Sequence, residues 1–216
     1  MIHIFGGGTV NFVRSHLALC APAYGSTARA LYSCLLANGI PEAALSLELT
    51  RMADSSSRLE TNANVAERLD TLLAKPETKV IIFNVALCDY EGTVGDVTAG
   101  KYAKRLSSRA GAQTMVLTPA DKLLKRVRLV RPDIILVGFK TTAGDSEDHQ
   151  LAQAGRQISE TQAHWVLAND TVTRHNLLVQ NQDGDATLQW SSDDRQASLE
   201  YLARQLVAAY QPQASA

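Results

Sequence analysis

Apolar and polar positions along this chain switch between a strand-like and a helix-like period, and the switches outline its elements. Residues 2–5 form a short β-prone run. Residues 26–37 place Ala28, Leu31, Leu35 and Leu36 at helical spacing, and Asn38-Gly39 supplies a stop. Residues 45–49 read as a short strand. Residues 64–74 set Val65, Leu69, Leu72 and Leu73 on one helical face. Residues 79–86 (Lys-Val-Ile-Ile-Phe-Asn-Val-Ala) are almost continuous β-formers, the pattern of a strand buried on both faces. The pattern then lapses. Residues 89–109 carry glycine, threonine, serine and basic residues with no periodic stripe, which predicts a long loop of the lid or binding type. Order resumes with a helix over 120–130, a buried strand over 134–139, a helix over 149–160 and a strand over 165–168 that runs into Asn169-Asp170. Residues 177–182 and 187–190 flank Asp-Gly-Asp and predict a β-hairpin. An amphipathic helix over 198–210 and a frayed tail over 211–216 complete the chain.

Strands alternating with helices of this length predict parallel βαβ units. The expected fold class is α/β: a single three-layer, Rossmann-like domain over 1–216, with a mostly parallel sheet and a C-terminal hairpin plus helix. Ligands of such sheets bind beyond the carboxyl ends of the strands. That rule gathers four segments, each just after a predicted strand: Gly6-Gly7-Gly8-Thr9, Asp89-Tyr90, Phe139-Lys140 and Asn169-Asp170. The glycine run has two readings. Its amides could cradle phosphate, since no Cβ obstructs them, or the glycines could serve a purely structural turn. It is neither a Walker loop nor a spaced GxGxxG.

Composition narrows the function classes. A net charge of −1 offers no basic stripe for nucleic acid. No apolar run approaches the roughly 20 residues that span a bilayer, and no secretory leader pattern opens the sequence. Cys20, Cys34 and Cys88 are odd in number and widely spaced, which fits reduced thiols and makes the cytoplasm the expected location. His3, His16, His149, His164 and His175 show no i, i+4 pairing and no neighbouring cysteine cluster, so zinc is not expected.

The ordered blocks resemble the phosphopantothenate–cysteine ligase family, in its stand-alone bacterial form. The resemblance rests on Gly-Gly-Thr after the first strand, Val13-Arg14-Ser15, Ala86-Leu87-Cys88-Asp89-Tyr90 and Arg105-Leu106-Ser107-Ser108. It continues through Val137-Gly138-Phe139-Lys140 and Val166-Leu167-Ala168-Asn169-Asp170. It implies a ligase of coenzyme A biosynthesis, in which a carboxylate attacks a nucleoside triphosphate (CTP or ATP). Cysteine's amine then displaces the nucleotide to form an amide. Such chemistry needs positioning and charge neutralisation, with no protein nucleophile.

The resemblance also implies roles. Arg14, Asp89 and Arg105 are the expected catalytic residues, with Asp89 also holding Mg²⁺. Gly6, Gly7, Gly8, Thr9, Lys104, Phe139, Lys140, Asn169 and Asp170 are expected around the nucleotide, and Gly25 and Ser26 around the acid substrate. A homodimer is implied, with the 89–109 loop closing the partner's site. The departures are equally specific. Residues 15–28 keep Gly25 and Ser26 but carry no aligned Asn, and Gln157 and Thr161 stand where the family has lysines. Arg105 stands in for a lysine, and a rigid fork replaces a mobile point charge. Two rivals follow: a diverged ligase for another acid and amine, and a non-catalytic nucleotide-binding protein on the same scaffold. A dinucleotide oxidoreductase is weaker, since no acidic residue is cleanly placed for a ribose after the second strand.

Overall fold

The computed structural model describes residues 1–214, with side chains described to Tyr210. Five parallel strands come first: β1 (Ile2–Gly8), β4 (Leu45–Leu49), β5 (Val80–Ala86), β8 (Ile135–Thr142) and β9 (Trp165–Asp170). Their order across the sheet is β4-β1-β5-β8-β9. Two antiparallel strands, β10 (Asn176–Gln182) and β11 (Asp185–Ser192), extend it to seven. The connections are α1 (Ser26–Ala37), α2 (Asn62–Leu73), α3 (Leu124–Val130) and α4 (Glu147–Thr161), and α5 (Arg195–Ala214) follows the hairpin. The order reverses between β1 and β5, which makes their carboxyl ends the switch point where crevices open in such sheets. The expected fold class is the observed one.

The near-continuous apolar runs have a direct cause. In β1, Ile2 and Ile4 face α1 and α5, while Phe5 faces α2, α3 and α4. The same alternation sorts Val80 and Ile82 from Ile81 and Phe83, and Trp165 and Leu167 from Val166 and Ala168. Both faces are covered, so nearly every position is apolar. Leu69 of α2 is fully buried, and its truncation to Ala removes about 2–5 kcal/mol. One ionic cluster interrupts this core. Glu48 is buried, and its carboxylate accepts from His3, Ser46 and both forks of Arg68. Burial alone would raise its pKa, but these hydrogen bonds and the Arg68 charge hold it at about 2.

The sequence-based boundaries need several corrections. Residues 89–109 are not one loop. Tyr90–Val94 is a strand (β6) that pairs antiparallel with β7 (Met115–Pro119), so the segment is a hairpin arm leaving and returning beside Asp89. Ala120 N–H closes the base of the arm on the Asp89 carbonyl at 2.9 Å. The predicted 120–130 helix starts only at Leu124. Residues 10–20 fold into a second hairpin, β2 (Val10–Arg14) and β3 (Leu17–Cys20), which packs on the arm. Helix α5 continues to Ala214, and residues 215 and 216 of the expected frayed tail lie outside the described residues. Among the described residues, no helix is long and apolar enough to cross a membrane.

The glycine run is the clearest correction. Gly6, Gly7 and Gly8 continue β1 and pair with Asn84, Val85 and Ala86, so they form no loop. A Cβ on Gly6 would lie 2.4 Å from Ala28 Cβ, and one on Gly8 only 1.9 Å from the Ala21 carbonyl oxygen. On their Cβ sides the three glycines are crowded by residues 21–28 and 49–53 of the chain itself, so close packing accounts for the absence of side chains in the run.

Candidate functional site

Thr9, expected to offer its amide to phosphate, is fully buried and has another task. Its N–H donates to the Ala86 carbonyl at 3.0 Å, and its hydroxyl donates to Asn62 Oδ1 at 2.6 Å. The Cys88 N–H in turn donates to the Thr9 hydroxyl at 3.0 Å, and Asn62 Nδ2 donates to the Cys88 carbonyl. This network fixes the turn after β5. It therefore positions the next residue, Asp89, at the rim of the crevice. Asn62 gives no signal in the sequence, because a polar residue in a helix's first turn looks like ordinary capping. Here Thr61 and Asn64 form the capping box, which frees Asn62 for the network.

Asp89 stands at one lip of a cleft of about 330 Å³ between the ends of β5 and β8 and helices α3 and α4. The cleft carries Lys122 and Lys125 beside α3, Lys140 at the end of β8, and Arg156 on α4, against the carboxylates of Asp89, Asp121 and Glu160. Lys122 Nζ lies 2.5 Å from Asp89 Oδ1, and Lys125 Nζ lies 3.0 Å from Glu160 Oε2. Lys140, Arg156 and Asp121 form no ion pair among the described residues, so the cleft holds one more cation than carboxylate. Leu87, Leu123 and Leu124 supply an apolar wall, and Phe139 borders the opening. A cleft combining an apolar wall with unpaired cations suits a planar base joined to a polyanion. Gln157, where the family has a lysine, places its Nε2 only 2.4 Å from where a Gly138 Cβ would sit. Gly138 leaves room there for the Gln157 side chain of α4.

The expected site residues divide into groups. Asp89, Phe139 and Lys140 line this cleft together. Asn169 and Asp170 line a second pocket with Arg174, Asn176 and Arg195. Asp170 is buried and accepts from the Thr142 hydroxyl and from the N–H groups of Asp145, Val172 and Thr173. Burial pushes its pKa up, but these donors outweigh burial and hold it well below the usual carboxylate range. With both oxygens occupied, Asp170 works as a turn clamp between β8 and β9.

Arg14 is elsewhere. Its guanidinium is buried and donates to the carbonyls of Val13, Val94 and Val97, stitching β2 to the arm. Gly25, left-handed at φ 75°, starts α1, and Ser26 is exposed beside it. Lys104 and Arg105 are exposed on the arm and border neither pocket. Among the described residues, no three His, Cys, Asp or Glu side chains form a metal cage.

Comparison with known proteins agrees with this architecture. No protein-family profile matches the chain. The coenzyme A biosynthesis bifunctional protein CoaBC of Thermococcus kodakarensis is 26% identical over 118 residues, 54% of this chain. The chain's match covers only 27% of that relative's length. Among solved structures, the DNA/pantothenate metabolism flavoprotein of Streptococcus pneumoniae superposes with a TM-score of 0.70 at 19% identity, covering 98% of each chain. The C-terminal domain of a CoaBC protein gives 0.64 at 15% identity, over 99% of this chain and 95% of that one. A Cab2 variant in complex with phosphopantothenate-cysteine gives 0.59 at 14%, over 97% and 88%. The fold is that of the phosphopantothenate–cysteine ligase domain. Every superposition spans nearly the whole chain, hairpins and α5 included.

Proposed function

We propose that this chain is a nucleotide-dependent acid–amine ligase of the phosphopantothenate–cysteine type, acting in the Asp89 cleft. The observation that carries the reading is the convergence of Asp89, Lys122, Lys140, Arg156 and Phe139 on one opening at the carboxyl ends of β5 and β8. The acid's carboxylate attacks the α-phosphorus of CTP or ATP, and pyrophosphate leaves. The amine then displaces the nucleotide from the acyl-nucleotide, and an amide forms. Lys122, Lys140 and Arg156 neutralise the phosphates, and the apolar wall excludes water from the activated acyl group. The arrangement replaces the absent α4 lysines with cations from β8, from the α3 side and from the neighbouring α4 position.

Mg²⁺ brought in by the triphosphate fits the donor set, since Asp89 and Asp121 offer hard oxygens and such ions keep phosphate and water ligands. When bound, the ion would offset charge on the departing pyrophosphate. Lys122 must then give up its contact with Asp89. Tyr102 on the arm is 94% exposed, and Val116 and Leu117 of β7 are also exposed, a surface suited to a second copy of the chain. In such a dimer, the arm's Lys104 and Arg105 would reach the partner's cleft.

One observation favours a changed acid substrate. The Ala21 carbonyl packs against Gly8, in the stretch where the resemblance expects an Asn-bearing loop. Nucleotide binding should therefore be readily measured, while ligation of phosphopantothenate with cysteine should be slow. Calorimetric titration with CTP and ATP, followed by pyrophosphate exchange across candidate acids, tests the reading. The expected result is millimolar or tighter binding that weakens by about tenfold or more in Lys122→Met/Arg156→Gln. No binding by the unaltered chain would overturn it. Exchange only with acids other than phosphopantothenate would establish the diverged ligase. Binding without exchange for any acid would favour a non-catalytic nucleotide-binding protein.

A further inference from the structure

We propose that the pocket between Asn169 and Arg195 is a second anion site, built for a phosphate monoester or carboxylate group of a small molecule. It is a cavity of about 350 Å³ where the end of β9, the start of β10 and the first turn of α5 meet. Arg174 and Arg195 line it, together with Asp170 and Asp193. The carboxylates are already engaged. Asp170 is saturated by its four donors, and Asp193 Oδ1 lies 2.7 Å from His175 Nδ1. The imidazole is held between Asp193 and Glu147, and these contacts raise its pKa, so it stays a partner for Asp193.

The guanidiniums have no such partners. Arg195 has no ion pair among the described residues; it donates to Asn176 Oδ1 at 3.0 Å and reaches the Thr27 hydroxyl at 3.5 Å. Its charge also lies 5.8 Å from the centre of the Phe139 ring. Burial lowers its pKa to about 10, so it remains a cation at neutral pH in a site where its charge is poorly hydrated. Arg174 donates no side-chain hydrogen bond among the described residues, and its backbone is left-handed at φ 68°. A non-glycine residue rarely adopts that conformation unless the surroundings impose it. Here Asn176 Nδ2 holds the Arg174 carbonyl at 2.7 Å. Asn176 therefore fixes the Arg174 backbone through its amide nitrogen and the Arg195 guanidinium through its oxygen. Asn169 adds an amide at the rim. Two arginines that form no ion pair among the described residues, in a pocket whose carboxylates are turned to other donors, make a receptor for a planar or tetrahedral oxyanion.

This pocket is separate from the Asp89 cleft but adjacent to it, since Phe139 borders the cleft and also lies beneath Arg195. The anion site does not depend on the ligase reading. The test is a two-dimensional amide NMR titration of the whole chain with inorganic phosphate, methyl phosphate and acetate, without nucleotide. Saturable shifts confined to Asn169, Arg174, Asn176, Arg195 and their neighbours are expected, with Arg174→Gln weakening binding by about tenfold or more. Arg204→Gln, on α5 against Tyr201, should leave the affinity unchanged. Arg195→Gln also disturbs Phe139, so the substitution at the exposed Arg174 is the decisive one.

Tighter binding of methyl phosphate than acetate assigns the site to a phosphate ester, and the reverse order assigns it to a carboxylate. Shifts that never saturate, or an affinity unchanged in Arg174→Gln, overturn the proposal. A chain that binds phosphate here but no CTP or ATP refutes the ligase reading alone. The converse refutes only this one.

Discussion

The carboxyl ends of β1 and β5 lie side by side, with Gly8 paired to Ala86, yet they serve opposite purposes. At β1 the chain packs against itself so closely that no side chain fits. At β5 the strand turns at Cys88, projects Asp89, and opens a charged cleft. Glycine at a strand end thus permits two kinds of close approach: by a ligand, or by the protein's own backbone. What distinguishes them is where the neighbouring amides go. Thr9 donates to Ala86, so this end of β1 is closed.

Gly8→Val puts the closed end of β1 to the hardest test. Its Cβ would meet the Ala21 carbonyl at 1.9 Å and the Ala23 nitrogen at 2.7 Å, both backbone atoms that cannot swing aside. A loss of about 3 kcal/mol or more is expected, read by urea unfolding. If the variant is as stable as the parent but loses nucleotide binding, the glycine run is a ligand cradle after all.

A second probe concerns β4 and β1 lower in the sheet. Glu48→Gln should cost about 2 kcal/mol, below the ~3–5 kcal/mol of a fully buried pair because Arg68 is 34% exposed. The pH dependence has a definite sign. Glu48 sits at about 2 when folded against 4.5 otherwise, so its contribution is complete above about 4.5 and is lost as pH falls toward about 2. His164 is lowered by burial, and further by Arg128, to about 4, and its neutral Nδ1 accepts the Leu136 N–H. Its contribution is complete above about 6.5 and is lost as pH falls to about 4. Chemical denaturation across pH should therefore show stability falling in two stages, and Glu48→Gln should shrink the lower one, to which the lowered Asp170 also contributes, while leaving the upper one intact.

A more modest change is expected on the open side, at the end of β5. Gln157→Lys adds a cation where the family carries one, beside Arg156. It should tighten nucleotide binding by roughly fivefold to tenfold, measured by calorimetry. Unchanged affinity would mean that the phosphates do not reach α4.

Much of the scaffold was legible in the chain because burial on both faces leaves a strong mark. Residues 79–86 and 134–139 read as central strands from composition, since almost all of their positions are apolar. The arm was not legible. Tyr90–Val94 and Val116–Leu117 belong to a two-stranded sheet with exposed positions, so neither apolar continuity nor strict alternation marks them. The site was legible only in part. Asp89 follows β5, and Lys140 lies near the end of β8, which runs three residues past the expected 139, so both fall at the crevice. Lys122, Lys125 and Arg156 come from helices and a loop distant in sequence, and their charges look like ordinary surface positions until the fold brings them together.

The layers, the order of elements and the end of the sheet at which polar residues gather are all written in the amino-acid sequence. They follow from local periodicity and from the rule that parallel strands need covered crossovers. Which polar groups remain available is a matter of the folded chain. Thr9, Arg14 and Asp170 have the chemistry of site residues but are occupied by the protein's own carbonyls, hydroxyls and amides. Arg174 and Arg195 look unremarkable in the chain yet form no ion pair among the described residues of the fold. A hydrogen-bonding group is used up by whatever lies within about 3 Å of it, and that neighbour is commonly dozens of residues away in sequence.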